Sequence, residues 1–206
     1  MGKLSRPGTR QASKTGACPE GGETVSISGD FLRVSRANEA IRVEVFGLGN
    51  MHLAPAFQSF AEAEIQAGFV NFIVDLHGCA GMDSTFMGTF IGISNQIRGR
   101  QGFFCLVNVS PENHRLLKML GVVHLVTVHE GEFPVPAGKT TIIRPTDDPY
   151  ARQRQIRAAH FLLLDADPAN RDRFGAFIKA MEEAPADAPT IVRPGKNGTG
   201  SDDKKK

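Results

Sequence analysis

The chain has 206 residues, 41% of them hydrophobic, which suits one domain with appendages and allows a proper core. Its formal net charge of +2 divides into +2 over residues 1–28, −3 over 29–132 and +3 over 133–206. The mildly acidic middle argues against a nucleic-acid-binding core, and no apolar run approaches the roughly 18 residues of a membrane span.

Residues 1–28 are poor in large apolar side chains and rich in Gly, Ser, Thr, Lys and Arg, the composition of a disordered basic tail. They contain no signal-peptide core. Three cysteines, Cys18, Cys79 and Cys105, make neither an even set nor a Cys-x-x-Cys pair, which fits a reducing compartment and a cytoplasmic location.

Two strands come first, Asp30 to Ser35 and the strictly alternating Ile41-Arg-Val-Glu-Val-Phe, with Ala37-Asn-Glu as a hairpin turn between them. Leu53, Phe57, Phe60 and Ile65 recur at near-helical spacing, and Gly68 closes that helix. Phe69 to Leu76 is an apolar run of strand length, followed by Gly78 and Gly81 and then by Asp83-Ser84, with Ser84 where a helix takes its N-cap. Phe86, Phe90, Ile93 and Ile97 supply one face of the next helix.

Phe103 to Val109 reads as another buried strand, and Ser110-Pro111-Glu112 opens a helix with cap and N1 proline in their usual places. Leu116, Leu117 and Leu120 give it a buried stripe, Gly121 ends it, and Val122 to Val128 is predicted as a last strand. Residues 133–146 form a linker, in which Thr140-Thr-Ile-Ile-Arg either adds a short strand or lies along the domain. Asp147-Asp148-Pro149 starts a helix with Ile156, Ala159 and Leu163 on one face. Asp167-Pro168 starts another with Phe174, Phe177, Ile178 and Met181 aligned. This two-helix extension, 147–184, closes on itself, docks on the sheet, or serves a partner or a homodimer contact. Arg152, Arg154 and Arg157 read as its solvated face, and residues 185–206 as a polar, disordered tail.

The strand, glycine-rich loop, Asp-Ser and helix of residues 69–97, with Leu106-Val-Asn-Val-Ser-Pro-Glu-Asn-His-Arg-Leu-Leu-Lys-Met-Leu-Gly downstream, resemble the STAS domain of bacterial anti-sigma-factor antagonists. The element order β β α β α β α β, an open mixed sheet with helices packed against it, is similar to that family's pattern over residues 29–132. The resemblance implies that the first serine after the aspartate, Ser84, is a switch phosphorylated by a serine-kinase anti-sigma factor and restored by a serine phosphatase. Thr85 is a second candidate acceptor. Where many members carry glycine two residues after the serine, this chain has Phe86, and Gly88 comes two later.

A phosphate at Ser84 adds about −1.5 to −2 charges beside Asp83, enough to repel an acidic or closely packed partner. Partner contact is expected from the loop residues His77, Gly78, Cys79, Met82 and Asp83, and from Thr85. It is also expected from Gly88, Thr89 and Gly92, which with Asn95 and Gln96 make an uncharged helix face opposite the apolar stripe.

The same glycines have a plainer reading as sites of close helix packing. A hydrolase built on Ser84, His77 and Asp75 lacks a Gly-x-Ser-x-Gly turn to expose its nucleophile. Metal binding by His77 with Cys79, or His124 with His129, lacks further ligands, and no cofactor fingerprint is present. The expectation is therefore a non-enzymatic antagonist of an anti-sigma factor, the alternative being a STAS scaffold in a sensory or lipid-transport assembly.

Overall fold

A computed structural model describes residues 28–37, 39–129 and 139–183. The expected tails, residue 28 apart, and residues 130–138, where the expected linker begins, lie outside the described residues. β1 (Phe31–Ala37) and β2 (Ala40–Gly49) form an antiparallel hairpin with Val34 opposite Val43. Every second β2 side chain from Ile41 to Val45 is buried, as its alternation requires. α1 (Ala54–Gln66) returns the chain to β3 (Asn71–Asp75), which lies parallel to β2.

β5 (Phe103–Val107) lies parallel on the other side of β3, and β6 (Thr127–Val128) follows it. β7 (Thr140–Ile143) adds antiparallel to β1. Among the described residues the sheet order is thus β6-β5-β3-β2-β1-β7. The helices are α2 (Ser84–Arg98), α3 (Pro111–Met119), α4 (Pro149–Ala166) and α5 (Ala169–Glu182). The expected open mixed sheet with packed helices is the fold observed.

Two local readings change and one left open is decided. The loop after β3 contains β4 (Cys79–Met82), which pairs with the end of β2. Thr140–Ile143 takes the strand alternative at the sheet edge. The segment Val122 to Val128 is mostly not a strand: Gly121 turns at φ +73°, a 3-10 turn occupies Val122–His124, and only two residues pair with β5. Val122 and Val126 are both buried, and Val126 donates to the carbonyl of Val122. That spacing of four is a helical turn rather than the alternation of a strand, although the β-branched content alone suggests one.

The core joins α1 and α2 to the sheet through aromatic contacts. Phe86 and Phe90 meet edge to face at 5.2 Å, and Phe57 and Phe104 close on them at 5.8 Å each. Each such ring pair contributes about 0.5–1.5 kcal/mol beyond its buried area, so the α2 stripe is firmly held. The start of α2 is held with it.

Candidate functional site at the start of helix α2

The first turn of α2 is capped by Asp83, where the sequence pattern suggests Ser84. One Asp83 oxygen accepts from Phe86 N at 2.9 Å and the other from Met51 N at 2.7 Å, while Asp83 N donates to Gly49 O. A carboxylate is both a better acceptor than a hydroxyl and a better complement to the helix dipole. Asp83 also reaches a second donor that Ser84 does not. Ser84, at the first helical position, is therefore free of capping duty.

Its hydroxyl goes elsewhere. Ser84 Oγ lies 3.0 Å from His160 Nε2 on α4, and His160 Nδ1 lies 2.7 Å from the carbonyl of Ile156. A carbonyl only accepts, so the neutral imidazole carries its proton on Nδ1 and accepts the hydrogen bond that the Ser84 hydroxyl donates to Nε2. His160 is 5% exposed and packed between Phe174 and Phe177 of α5, with ring centroids 4.9 and 4.8 Å away. Burial pushes its pKa below the usual histidine value, against the opposing pull of the Ile156 carbonyl and the Asp83 charge.

The face of α2 proposed for partner contact continues beneath the same helix. Thr89 is fully buried, and its hydroxyl donates to Thr85 O and accepts from Gln155 Nε2 at 2.8 Å. Gly88 lies so close to α4 that a side chain there would come within 2.6 Å of Ala159 Cβ and 2.7 Å of its carbonyl oxygen. Gly92, one turn on, faces Leu162. Thr85 is buried at 3% exposure, whereas Ser84 is half-buried. Asn95 and Gln96 are exposed.

In the loop preceding α2, His77 is exposed, and Gly78, Met82 and Asp83 are half-buried. The Cys79 side chain turns into the core. Burial raises its thiol pKa, against hydrogen bonds from the backbone and Asn113. Asp75 holds the loop's base: it accepts from His77 N, from Asn108 Nδ2 and from Arg42. Burial pushes its carboxyl up, but the Asn108 amide, the His77 N–H and the Arg42 guanidinium outweigh it, and the pKa falls below the usual value. Asp75 is thus occupied in structure.

The reading of α4 changes in detail. Its buried residues are Gln155, Ala159, His160 and Leu163, while Ile156 is only half-buried. Arg154 is exposed, but Arg152 contacts His52 at 3.2 Å and Arg157 lies over Phe161, so the arginines are not uniformly solvated. On α5, Ile178 is buried whereas Phe177 is 44% exposed.

Periodicity missed Gln155 and His160 because both are polar. The available signal was two glycines one turn apart on α2, with Gln155, Ala159 and His160 sharing a face of α4. No group of three or more His, Cys, Asp or Glu able to hold a metal occurs among the described residues, and none of their helices is long and apolar enough to cross a membrane.

Comparison with known proteins gives one family match and several similar structures. Residues 36–132 match the family model of the STAS domain. Similar solved structures include a proposed anti-sigma factor antagonist from Thermotoga maritima, at 19% identity and TM-score 0.45, covering 48% of this chain and 85% of that one. An anti-sigma factor antagonist from Mycobacterium paratuberculosis follows at 17% identity and TM-score 0.45, covering 50% and 87%. The Bacillus cell fate determinant SpoIIAA in its phosphorylated form shows 18% identity and TM-score 0.41, covering 48% and 90%. No curated protein matches the sequence. The family model carries the assignment: this chain contains a STAS domain, spanning residues 36–132.

Proposed function

We propose that the protein is a phosphorylation-controlled antagonist of an anti-sigma factor, with Ser84 as its switch. The observation that carries this reading is the division of labour at the start of α2. Asp83 caps the helix through one carboxylate oxygen and holds Met51 N with the other, so modifying the Ser84 hydroxyl leaves the cap in place. A phosphate there sits at the positive end of α2, which tolerates it. It also brings the local charge with Asp83 to about −3, which an acidic or tightly fitted partner does not tolerate.

On this reading the unmodified domain binds an ATP-using serine kinase that is also the anti-sigma factor, and so frees the sigma factor. The kinase modifies Ser84 and a phosphatase restores it. The domain itself is a substrate and a binding module in the cytoplasm and performs no catalysis. His77, Gly78, Met82 and Asp83 are the contacts on the open side. Thr85 is a weaker acceptor candidate than Ser84 because its side chain is buried. A desolvated, paired interface contact, when lost, costs about 2–5 kcal/mol, and near-complete exchange of two states needs about 5. One phosphate is therefore sufficient to change partners.

The test is a pull-down from native lysate with full-length Ser84→Ala and Ser84→Asp baits, the bound proteins identified by mass spectrometry. A serine-kinase ATPase on the alanine bait, bound at least tenfold more weakly by the aspartate bait, is the expected result. The same proteins in the same amounts on both would end the switch reading in favour of a STAS scaffold.

A further inference from the structure

We propose that α4 is a gate: the resting occupant of the α2 face that carries Ser84, which an outside kinase or partner reaches only when α4 lifts. This deepens the switch reading above and rests on it. Three contacts within the first two turns of α2 make the closure: Ser84 with His160, Gly88 with Ala159, and Thr89 with Gln155. Together they leave Thr89 with no exposed surface. A kinase that transfers phosphate to Ser84 needs its hydroxyl free for in-line attack. In the closed form that hydroxyl donates to a buried imidazole.

The seam is built to come apart. The α1–α2–sheet core is sealed by Phe57, Phe86, Phe90 and Phe104, whereas α4 meets α2 through glycine, alanine and two polar pairs, with Leu162 against Gly92 and Leu163 in the core. Of the α4 side chains, only Ala159 and Leu163 are both buried and apolar. Separating the seam uncovers Leu162 and Leu163 but breaks none of the aromatic contacts that hold α2 to α1 and the sheet, and water can replace the Ser84–His160 and Thr89–Gln155 hydrogen bonds.

The flanks are better tied. Thr146 N donates to His52 O before α4. Beyond it, Asn170, fully buried, donates to both Leu120 O and Leu163 O, and Arg173 donates to Met119 O. A helix held at both flanks, and joined to α2 along its middle without an aromatic contact, can open locally while staying tethered. Local opening of this kind is drawn from the low-stability end of a fold.

The test is native-state thiol labelling of the full chain. Thr89→Cys places a thiol at the fully buried position under Gln155. N-ethylmaleimide is the probe, and peptide mass spectrometry separates this site from Cys79, which reports an intact sheet. Adding Ala159→Arg, which cannot fit against Gly88, is expected to speed labelling at position 89 at least tenfold while Cys79 stays slow. Equal rates at position 89 with and without Ala159→Arg, with Cys79 slow in both, overturn the gate.

Should Ala159→Arg also expose Cys79, hydrogen exchange on the unaltered chain decides. The gate requires α4 amides to exchange well ahead of those in β3 and β5, whereas exchange of all three together makes α4 a fixed part of the core and overturns the proposal. Failure of the Ser84 switch would appear only in the bait comparison and would leave these rates as they are.

Discussion

Ser84 Oγ and His160 Nε2 stand 3.0 Å apart although 76 residues separate them in the chain. This bond ties the start of α2 to a helix beyond the STAS domain, and its direction is fixed by the His160 Nδ1 contact with Ile156 O.

Ser84→Ala removes the donor and leaves His160 Nε2 an unpartnered buried acceptor. The cost of such a group is about 1–3 kcal/mol, lowered here because Ser84 is only half-buried and water can enter. A loss of about 1 kcal/mol in urea unfolding is expected, and His160→Phe combined with Ser84→Ala should recover part of it. Ser84→Asp instead sets a second carboxylate beside His160, so the imidazole pKa rises. An NMR titration of the His160 ring in the two variants checks the sign.

Acid should loosen α4. The His160 pKa lies below the usual value of about 6.5 because burial disfavours the charged ring more than the Ile156 carbonyl and the Asp83 charge favour it. A depressed pKa means that the unfolded or undocked state binds more protons over the interval between the two values. The contribution of neutral His160 is therefore fully present above about pH 6.5 and is lost as pH falls through the folded-state value. The difference in unfolding free energy between the native chain and His160→Gln, followed from pH 8 to pH 5, should favour the native chain at the upper end and shrink on acidification. A difference independent of pH would contradict this.

The element pattern was legible because alternation in β2 and the stripe Phe86, Phe90, Ile93 and Ile97 each state which residues face a core. The position of Ser84 at the start of α2 was legible for the same reason. Its cap was not, because Asp83 and Ser84 are both good capping residues and the choice is made by Met51 N, which reaches Asp83 from another segment. Nor was the cover over α2 legible: periodicity assigns faces to helices without saying which faces meet. Gln155 and His160 are also the residue types least expected in a seam. The 3-10 turn at Val122–His124 was hidden by a run of β-branched and aliphatic residues, and only burial at a spacing of four distinguishes it from a strand.

Asp75→Asn tests the base of the loop that presents His77. The carboxylate is 5% exposed and Arg42 beside it 13%, with Arg42 Nε already lacking a partner. Removing one member of a buried pair typically costs 3–5 kcal/mol. Arg42 keeps Glu44 at 3.1 Å, so about 3 kcal/mol is expected from urea unfolding. Because the Asp75 pKa is depressed, its contribution holds above the unfolded-state value near 4 and is lost as pH falls through the folded-state value. The native chain and Asp75→Asn should thus converge in stability toward acid.

The two α2 glycines should respond in opposite directions. Alanine is favoured over glycine in a helix interior by about 1 kcal/mol, and propensity alone predicts that Gly88→Ala and Gly92→Ala both stabilise. At Gly92 the new methyl would meet Leu162 Cδ1 at 3.3 Å, the end of a side chain that can shift, so most of the propensity gain should survive. At Gly88 it would lie 2.6–2.8 Å from three atoms of Ala159, two of them backbone, so α4 itself must move. Overpacking of this kind costs about 1–3 kcal/mol, which outweighs the gain. Gly92→Ala should therefore unfold at equal or higher urea concentration than the native chain and Gly88→Ala at lower. Gly88→Ala should also speed hydrogen exchange in α4 more than in β3, because the strain falls on the seam and the aromatic core beneath α2 is untouched.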